Sequence, residues 1–351
     1  MQDKINANYT MKNKFRTFDK LSLWLIGIAI FLIIIAFASP YLITKYSLID
    51  FTETGQIGDT LGGIMNPFIG IASIIVMFLA FYMQYKANEI QKRQFKINQF
   101  ESQFFEMLKT HKENIAEISV EPFHYWENDI KTTQIISGRR ALDYIIEEIN
   151  IAYHINKAIT QNENRFESAS CLGEAYSFVW NGIENKRLDK KYPENLLEFL
   201  IEYRNPKKLT LVEKLASEEY GILASYKPRK VDFIPFDGHS SSLGLYYRHL
   251  FQTVKYVVSK DFLTYEEKRN YLRILRASMS NEEQALLFYN WLSGYGAKWE
   301  DKDNHFLTDF RMIHNVKPEM IIEDFDLESI FSKIKSDHEP LNDKDTLFEA
   351  M

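Results

Sequence analysis

The stretch from Asp237 to Val258, DGHSSSLGLYYRHLFQTVKYVV, sets a glycine- and hydroxyl-rich turn directly before a helical pattern, and its residue types suit the handling of an anion. Free amides at a helix start attract negative charge. With a helix running from about Ser242, Leu243, Tyr246, Leu250, Val254 and Val257 form one apolar stripe, while Arg248, Gln252 and Lys255 share a different face. His239 and Arg248 are then candidates for a phosphate-handling pair, the imidazole as acid or base and the guanidinium as clamp. His249, beside Arg248 but about a hundred degrees around the helix, is the third catalytic candidate. The plainer alternative pairs Arg248 with a carboxylate and leaves His239 to cap the turn.

The next block, YLRILRASMSNEEQALLFYNWLS from Tyr271 to Ser293, reads as two helices meeting at Ser278-Met279-Ser280. Arg273 and Arg276 lie three apart on one flank and, with Lys255, are candidates for binding an acidic partner or a phosphate; a solvated face is the alternative. Thr210 with Glu213, Thr264 with Glu267, and Ser280 with Glu283 have capping-box spacing, so Glu282 and Glu283 read as capping charges. Asn290 falls among apolar residues and should be buried and hydrogen-bonded. His111, near Glu106 and Glu113, reads as surface decoration on an amphipathic helix. No glycine-rich phosphate loop, HExxH, paired cysteines, G-x-S-x-G elbow or obvious R-x-x-x-x-H ribonuclease motif is present. The one cysteine, Cys171, allows no internal disulfide and no thiolate-rich zinc site, and neither a metal nor a cofactor is expected.

The elements that must carry these residues begin with two charge-free runs, Leu21 to Ala38 and Ile64 to Met83, each close to the roughly 20 residues that cross a bilayer. They predict a transmembrane helical hairpin. A cleavage site at Ala36-Phe37-Ala38 is conceivable, but the first run is too long for a signal peptide and a second follows, so the first helix is read as uncleaved. Lys4, Lys12, Lys14, Arg16 and Lys20 precede the first run, and Lys86, Lys92, Arg93 and Lys96 follow the second. The loop between them holds Asp50, Glu53 and Asp59 against Lys45, so both termini should be cytoplasmic. Asn66-Pro67 reads as a helix start. Asp59, Gly62, Gly63, Asn66 and Gly70 are candidates for close membrane packing or, in the sharper reading, for a re-entrant turn lining a pore.

Beyond the membrane, Ile90, Ile97, Phe100, Phe104, Leu108, Ile115 and Ile118 recur at helical spacing without Gly or Pro, which predicts a stalk ended by Pro122. Leu142, Ile145, Ile146, Ile149 and Ala152 predict a core helix. The division expected is a tail over 1–20, a hairpin over 21–83 with an external loop at about 40–63, a stalk over 84–120, a helical body over 121–334 and a charged tail over 335–351. Hydrophobic content of 46% with a mean hydropathy of -0.29 confines the apolar character to the two runs, leaving a soluble body on a membrane foot. A net charge of -6 gives no global field for nucleic acid.

The block GQIGDTLGGIMNPFIGIASIIVMFLAFYMQYKANEIQKRQF with FESQFFEMLKTHKENI, and further on FDGHSSSLGLYYRHLFQTVKYV and LRASMSNEEQALLFYNWLS, resembles the bacterial family described as putative phage abortive infection proteins. The resemblance runs from about Gly55 to Gly296. Ser278-Met279 departs from a more usual Gln-Leu, a matter of local packing. The resemblance implies antiphage defence and carries over no catalytic residues. The resulting expectation is a mostly α protein of the bacterial inner membrane, with two membrane helices, a stalk and a cytoplasmic, predominantly helical body. The body would sense a phage product or partner protein, and the hairpin, in contact with lipid and in a homo-oligomer, would alter membrane integrity or potential without need of an enzyme. The alternatives are a membrane-tethered nuclease or other phosphate-handling enzyme using the His239/Arg248 region, and a non-catalytic scaffold.

Overall fold

The computed structural model describes residues 20–46, 57–120, 123–126, 129–132, 135–162, 166–183, 196–197, 200–201, 236–337 and 341. These residues are mostly α-helical, as expected, and the chain divides into two compact units, Met1–Phe100 and Glu101–Met351. The predicted capping box at Thr210 and nearly all of the C-terminal tail lie outside the described residues.

In the first unit, α1 (Lys20–Tyr46) packs along the first part of α2 (Ile57–Glu117). One row of buried or half-buried positions on α1 runs through Ser22, Leu25, Ala29, Leu32, Ala36 and Ser39, and one on α2 runs through Met65, Phe68, Ala72, Ile75 and Leu79. Both rows alternate steps of three and four, the spacing that keeps a seam facing one partner helix. Ser22, Ala29, Ala36 and Ser39 are small and buried, and Ser22 Oγ reaches Met83 Sδ at 3.7 Å. Large apolar side chains point outward instead, with Trp24 and Phe37 each 72% exposed. Both helices are long and apolar enough to cross a membrane, yet their most apolar stretches are only 17% and 6% buried.

The reading of Asn66-Pro67 as a helix start is corrected here: α2 begins at Ile57, so Pro67 lies inside it. Helix-forming neighbours and the apolar row on α1 override the local signal. A proline has no N–H, so the carbonyl four residues earlier loses its helical donor. In α1 the same defect arises at Pro40, and there the Ser39 hydroxyl donates to the Ala36 carbonyl at 3.0 Å, restoring the missing bond.

In the second unit, α2 continues to Glu117 without reaching Pro122, and two short antiparallel ladders follow that periodicity did not foretell. Strands β1 (Ser119–Val120) and β4 (Ile136–Ser137) pair, enclosing the hairpin of β2 (Phe123–Trp126) and β3 (Asp129–Thr132). Then come α3 (Arg139–Asn162) and α4 (Ser168–Asn181), packed on each other, and α5 (Ser240–Val258), α6 (Tyr265–Ser278), α7 (Asn281–Leu292) and α8 (Leu327–Asp337). Helix α7 lies against both α3 and α4, with Ala285, Leu286, Leu287, Phe288 and Tyr289 fully buried, so it is the central element of this unit. The capping boxes at Thr264 and Ser280 form as the spacing predicts. Asn290 is buried, donates to the Tyr176 hydroxyl at 3.1 Å and accepts from the Gly296 amide at 2.8 Å through its own carbonyl.

Candidate functional site

Four elements of the second unit converge on the carboxylate of Glu283, which is fully buried. The serine-to-glutamate spacing places Glu283 in the first turn of α7, where it caps Ser280 through the Ser280 amide at 3.0 Å and where the helix dipole favours its charge. The same Oε1 accepts from Arg139 Nε at 3.2 Å, at the start of α3. Oε2 meets His111 Nε2 of α2 at 3.1 Å and accepts from the Tyr246 hydroxyl of α5 at 3.3 Å. Arg139 also donates to the Ser278 carbonyl at 2.5 Å while its side chain stays 55% exposed, so it closes the cluster on the solvent side.

His111 is thus not surface decoration: it is 1% exposed and tied to Glu283. A signal was present in the sequence, because Phe104, Leu108, His111, Ile115 and Ile118 form one unbroken row in steps of four and three, with His111 as its single polar member. His249 lies one turn along α5 from Tyr246. Burial pushes its pKa down, and the neighbouring His111 adds to the effect. The Nδ1 atoms of both His111 and His249 are buried without a hydrogen-bond partner among the described residues. Burial and the Glu283 charge raise the Tyr246 hydroxyl well above its ordinary range, which keeps it a donor at neutral pH. The cluster also takes in Ser280, whose hydroxyl accepts from the Glu283 amide at 3.3 Å. It is a buried charge network that binds α2, α3, α5 and α7 together.

A second buried carboxylate, Glu148 of α3, holds the entrance of α5. Glu148 Oε2 meets His239 Nε2 at 2.6 Å, and Oε1 accepts the Phe236 amide. Burial opposes charge on His239, but the Glu148 carboxylate outweighs it and raises the pKa, with Asp237 adding to the rise. The end of α4 and the start of α5 clasp here: the Ile183 amide donates to the Phe236 carbonyl and the His239 amide to the Val179 carbonyl, both at 3.0 Å. Gly182 and Gly238 have φ of 78° and 93°, and a Cβ on either would lie 2.5 or 2.7 Å from the opposing backbone. Only glycine satisfies both demands.

His239 therefore stands at the N-cap position of α5 with its ring turned inward to Glu148 and without a side-chain capping bond, while Arg248 is exposed, about 13 Å farther along the helix axis. The structure does not bring these two together. Lys255 is exposed on the same flank as Arg248. Arg273 is exposed and donates to Asn270 at 3.4 Å, whereas Arg276 donates to the Arg311 carbonyl at 2.9 Å. On the hairpin, Asp59, Gly63, Asn66 and Gly70 are exposed and Gly62 is half-buried, and a Cβ at any of the three glycines would meet nothing within 4 Å. The small residues that are buried in the hairpin are the serines and alanines of α1 and Ala72 of α2.

A third charged group joins α3 to the segment before α8, where Asp324 accepts from Lys157 at 2.5 Å and from the Tyr153 hydroxyl at 2.7 Å. Beside it a cavity of about 250 Å³ is lined by Asn150, His154, Glu319 and Glu323 over an apolar floor of Ile321 and Ile322. No group of three or more His, Cys, Asp or Glu among the described residues is placed to hold a metal ion.

Residues 238–321, less than half of the chain, match the family model described as Putative phage abortive infection protein. The match spans α5, α6 and α7, including His239, Tyr246 and Glu283, and supports a role in phage defence. No curated protein and no solved structure matches the chain.

Proposed function

We propose that this protein is a membrane-anchored effector of phage defence, in which the body built around α7 senses a phage product or partner and the hairpin alters the integrity or potential of the bacterial inner membrane. The observation that carries the membrane half is the exposure of the two apolar helices. A core helix of a soluble protein buries its apolar surface, whereas the most apolar stretches of α1 and α2 are 17% and 6% buried and need another apolar solvent. The match at residues 238–321 supports the defence half.

The Glu283 network suits the sensing step. A ligand moves a conformational equilibrium only through contacts that differ between two states. A buried charge held by four elements offers such a difference, because breaking one of its bonds leaves an uncompensated charge costing about 3–5 kcal/mol. Among those elements is α2, whose last turns carry His111 and whose first turns belong to the hairpin.

The test is a membrane-potential dye followed in infected cells. Cells expressing the protein should depolarise before lysis, and cells carrying Gly63→Leu or Gly70→Leu at normal abundance should neither depolarise nor be protected. Protection with an unchanged potential would overturn the membrane output. Loss of protection in both His239→Ala and Arg248→Ala, with nucleic-acid cleavage by the purified protein, would replace it with the enzyme reading.

A further inference from the structure

On α2, starting from Asp59 and alternating steps of four and three, one reaches Gly63, Asn66, Gly70, Ser73 and Met77, and every one of these positions is exposed. The row does not stop at the end of the apolar run. It continues through Ala80, Gln84, Ala87, Gln91, Gln94 and Asn98, again all exposed. After Asp59 it holds no charge, although Lys86, Glu89, Lys92, Arg93 and Lys96 crowd the other faces of the same stretch.

The position of this row on the helix excludes α1 as its cover. The seam that α2 presents to α1 runs through Met65, Phe68, Ala72, Ile75 and Leu79, two residues out of phase with the polar row. Two residues correspond to about 200° of rotation, so the polar row looks away from α1. Ile74, Phe78 and Phe81 form a separate exposed apolar row, about 100° from the polar one, that suits lipid.

Within the apolar run the hydrogen-bonding side chains of this row are Asn66 and Ser73; Ser73 donates to the Ile69 carbonyl at 2.7 Å, so Asn66 is the one that lipid leaves unsatisfied. Pro67 removes the helical donor of the Gly63 carbonyl, and Asn66 stands one residue before Pro67 as Ser39 stands before Pro40. The Ser39 hydroxyl repairs its defect by bonding the Ala36 carbonyl. Asn66 makes no corresponding bond to Gly63 among the described residues, so a carbonyl and a carboxamide face outward together at membrane depth. Such groups find partners in other helices or in a water-filled cavity.

We propose that this row is the surface on which copies of the chain meet, so that α2 helices stand together in a parallel, polar-centred assembly with α1 on the outside. The inference rests on the membrane-output reading and names its partner. Three features select a second copy. A row repeating every 3.5 residues is followed only by another helix wound at the same pitch. It extends about 58 Å, well beyond a bilayer core of about 30 Å, so the partner must cross the membrane and continue as a helix, as α2 itself does. A carboxamide carries both donor and acceptor, so Asn66, Gln84 and Gln91 each complement their own copy in parallel register, and the pair in which Gln94 donates to Asn98 at 3.3 Å keeps a further donor and acceptor.

Cysteine cross-linking of the full-length protein in native membranes tests this. The native Cys171 is buried and its thiol is pushed up to about 12 by burial, first, and by Glu174, so it stays silent. Single cysteines replacing Gly70, Ser73, Met77, Ala80, Gln84 or Ala87 should give intermolecular disulfides on mild oxidation. Replacements at Ile74, Phe78, Phe81 or Tyr85 should give at least about fivefold fewer, by the geometry of two rows a quarter-turn apart. Adding Asn66→Leu, with membrane abundance unchanged, should lower the yield at position 70. Equal or stronger cross-linking on the apolar row, or none on either, would overturn the proposal. Periodic cross-linking in cells that never depolarise would instead uphold the assembly and remove the membrane-output reading.

Discussion

At the scale of single residues, two buried carboxylates organise the body, and each makes a distinct prediction. Glu283→Ala strips His111, Arg139, Tyr246 and the Ser280 amide of one shared acceptor. The expected cost is about 3–5 kcal/mol, the range for breaking a buried ion pair. Denaturant unfolding of the full chain in detergent measures it, and Glu282→Ala on the same turn should cost less than about 1 kcal/mol. His239 gives a pH dependence. Its folded pKa is raised above the ordinary 6.5 by Glu148, so its contribution is complete below that value and fades as pH rises through the raised one. The difference in melting temperature between wild type and His239→Gln should therefore be largest at mildly acid pH and shrink toward alkaline pH. His249, whose pKa is lowered, acts in the opposite sense, but it is common to both proteins and cancels in the difference.

At the scale of elements, the hairpin seam sets small residues, Ser22, Ala29, Ala36 and Ser39 of α1 and Ala72 of α2, among larger ones. Ala29 is 4% exposed in the seam, whereas a Cβ at Gly27 would meet nothing within 4 Å. Ala29→Leu should force the helices apart, and Gly27→Leu should not. A cysteine pair replacing Ser22 and Met83, whose side chains touch in the hairpin, reports the result: intramolecular cross-linking should fall several-fold with Ala29→Leu and hold with Gly27→Leu. The elements also mark what the sequence discloses. The two apolar runs, the core stripe of α3 and the capping boxes at Thr264 and Ser280 were legible because each depends on local spacing. The Glu283 network was not, since it joins residues up to 172 positions apart, and a capping glutamate looks the same in sequence whether or not a histidine and an arginine also reach it. The Asn66-Pro67 start misled for the converse reason, a strong local signal overruled by the seam that α2 makes with α1.

At the scale of the whole molecule, the direction of the hairpin fixes what each end can meet. Residues before the first apolar run carry five cations against Asp3 and Asp19, and Lys86, Lys92, Arg93 and Lys96 follow the second, whereas Asp50, Glu53 and Asp59 dominate the stretch between the two runs. Cations are retained on the cytoplasmic side, so a reporter fused at Glu53 should report from outside and one at the C-terminus from inside. The sense of this topology matters for the sensing step. If the body lies in the cytoplasm, its surface meets products made during infection, and the Pro67 defect sits toward the outer leaflet. A signal would then enter at the inner end of α2 and act on helices that meet along one polar row. Cytoplasmic signals from both Glu53 and the C-terminus would remove this arrangement, because α2 could not then cross the membrane, and the polar row from Gly63 to Asn98 would be an ordinary wetted helix face with no need of a second copy.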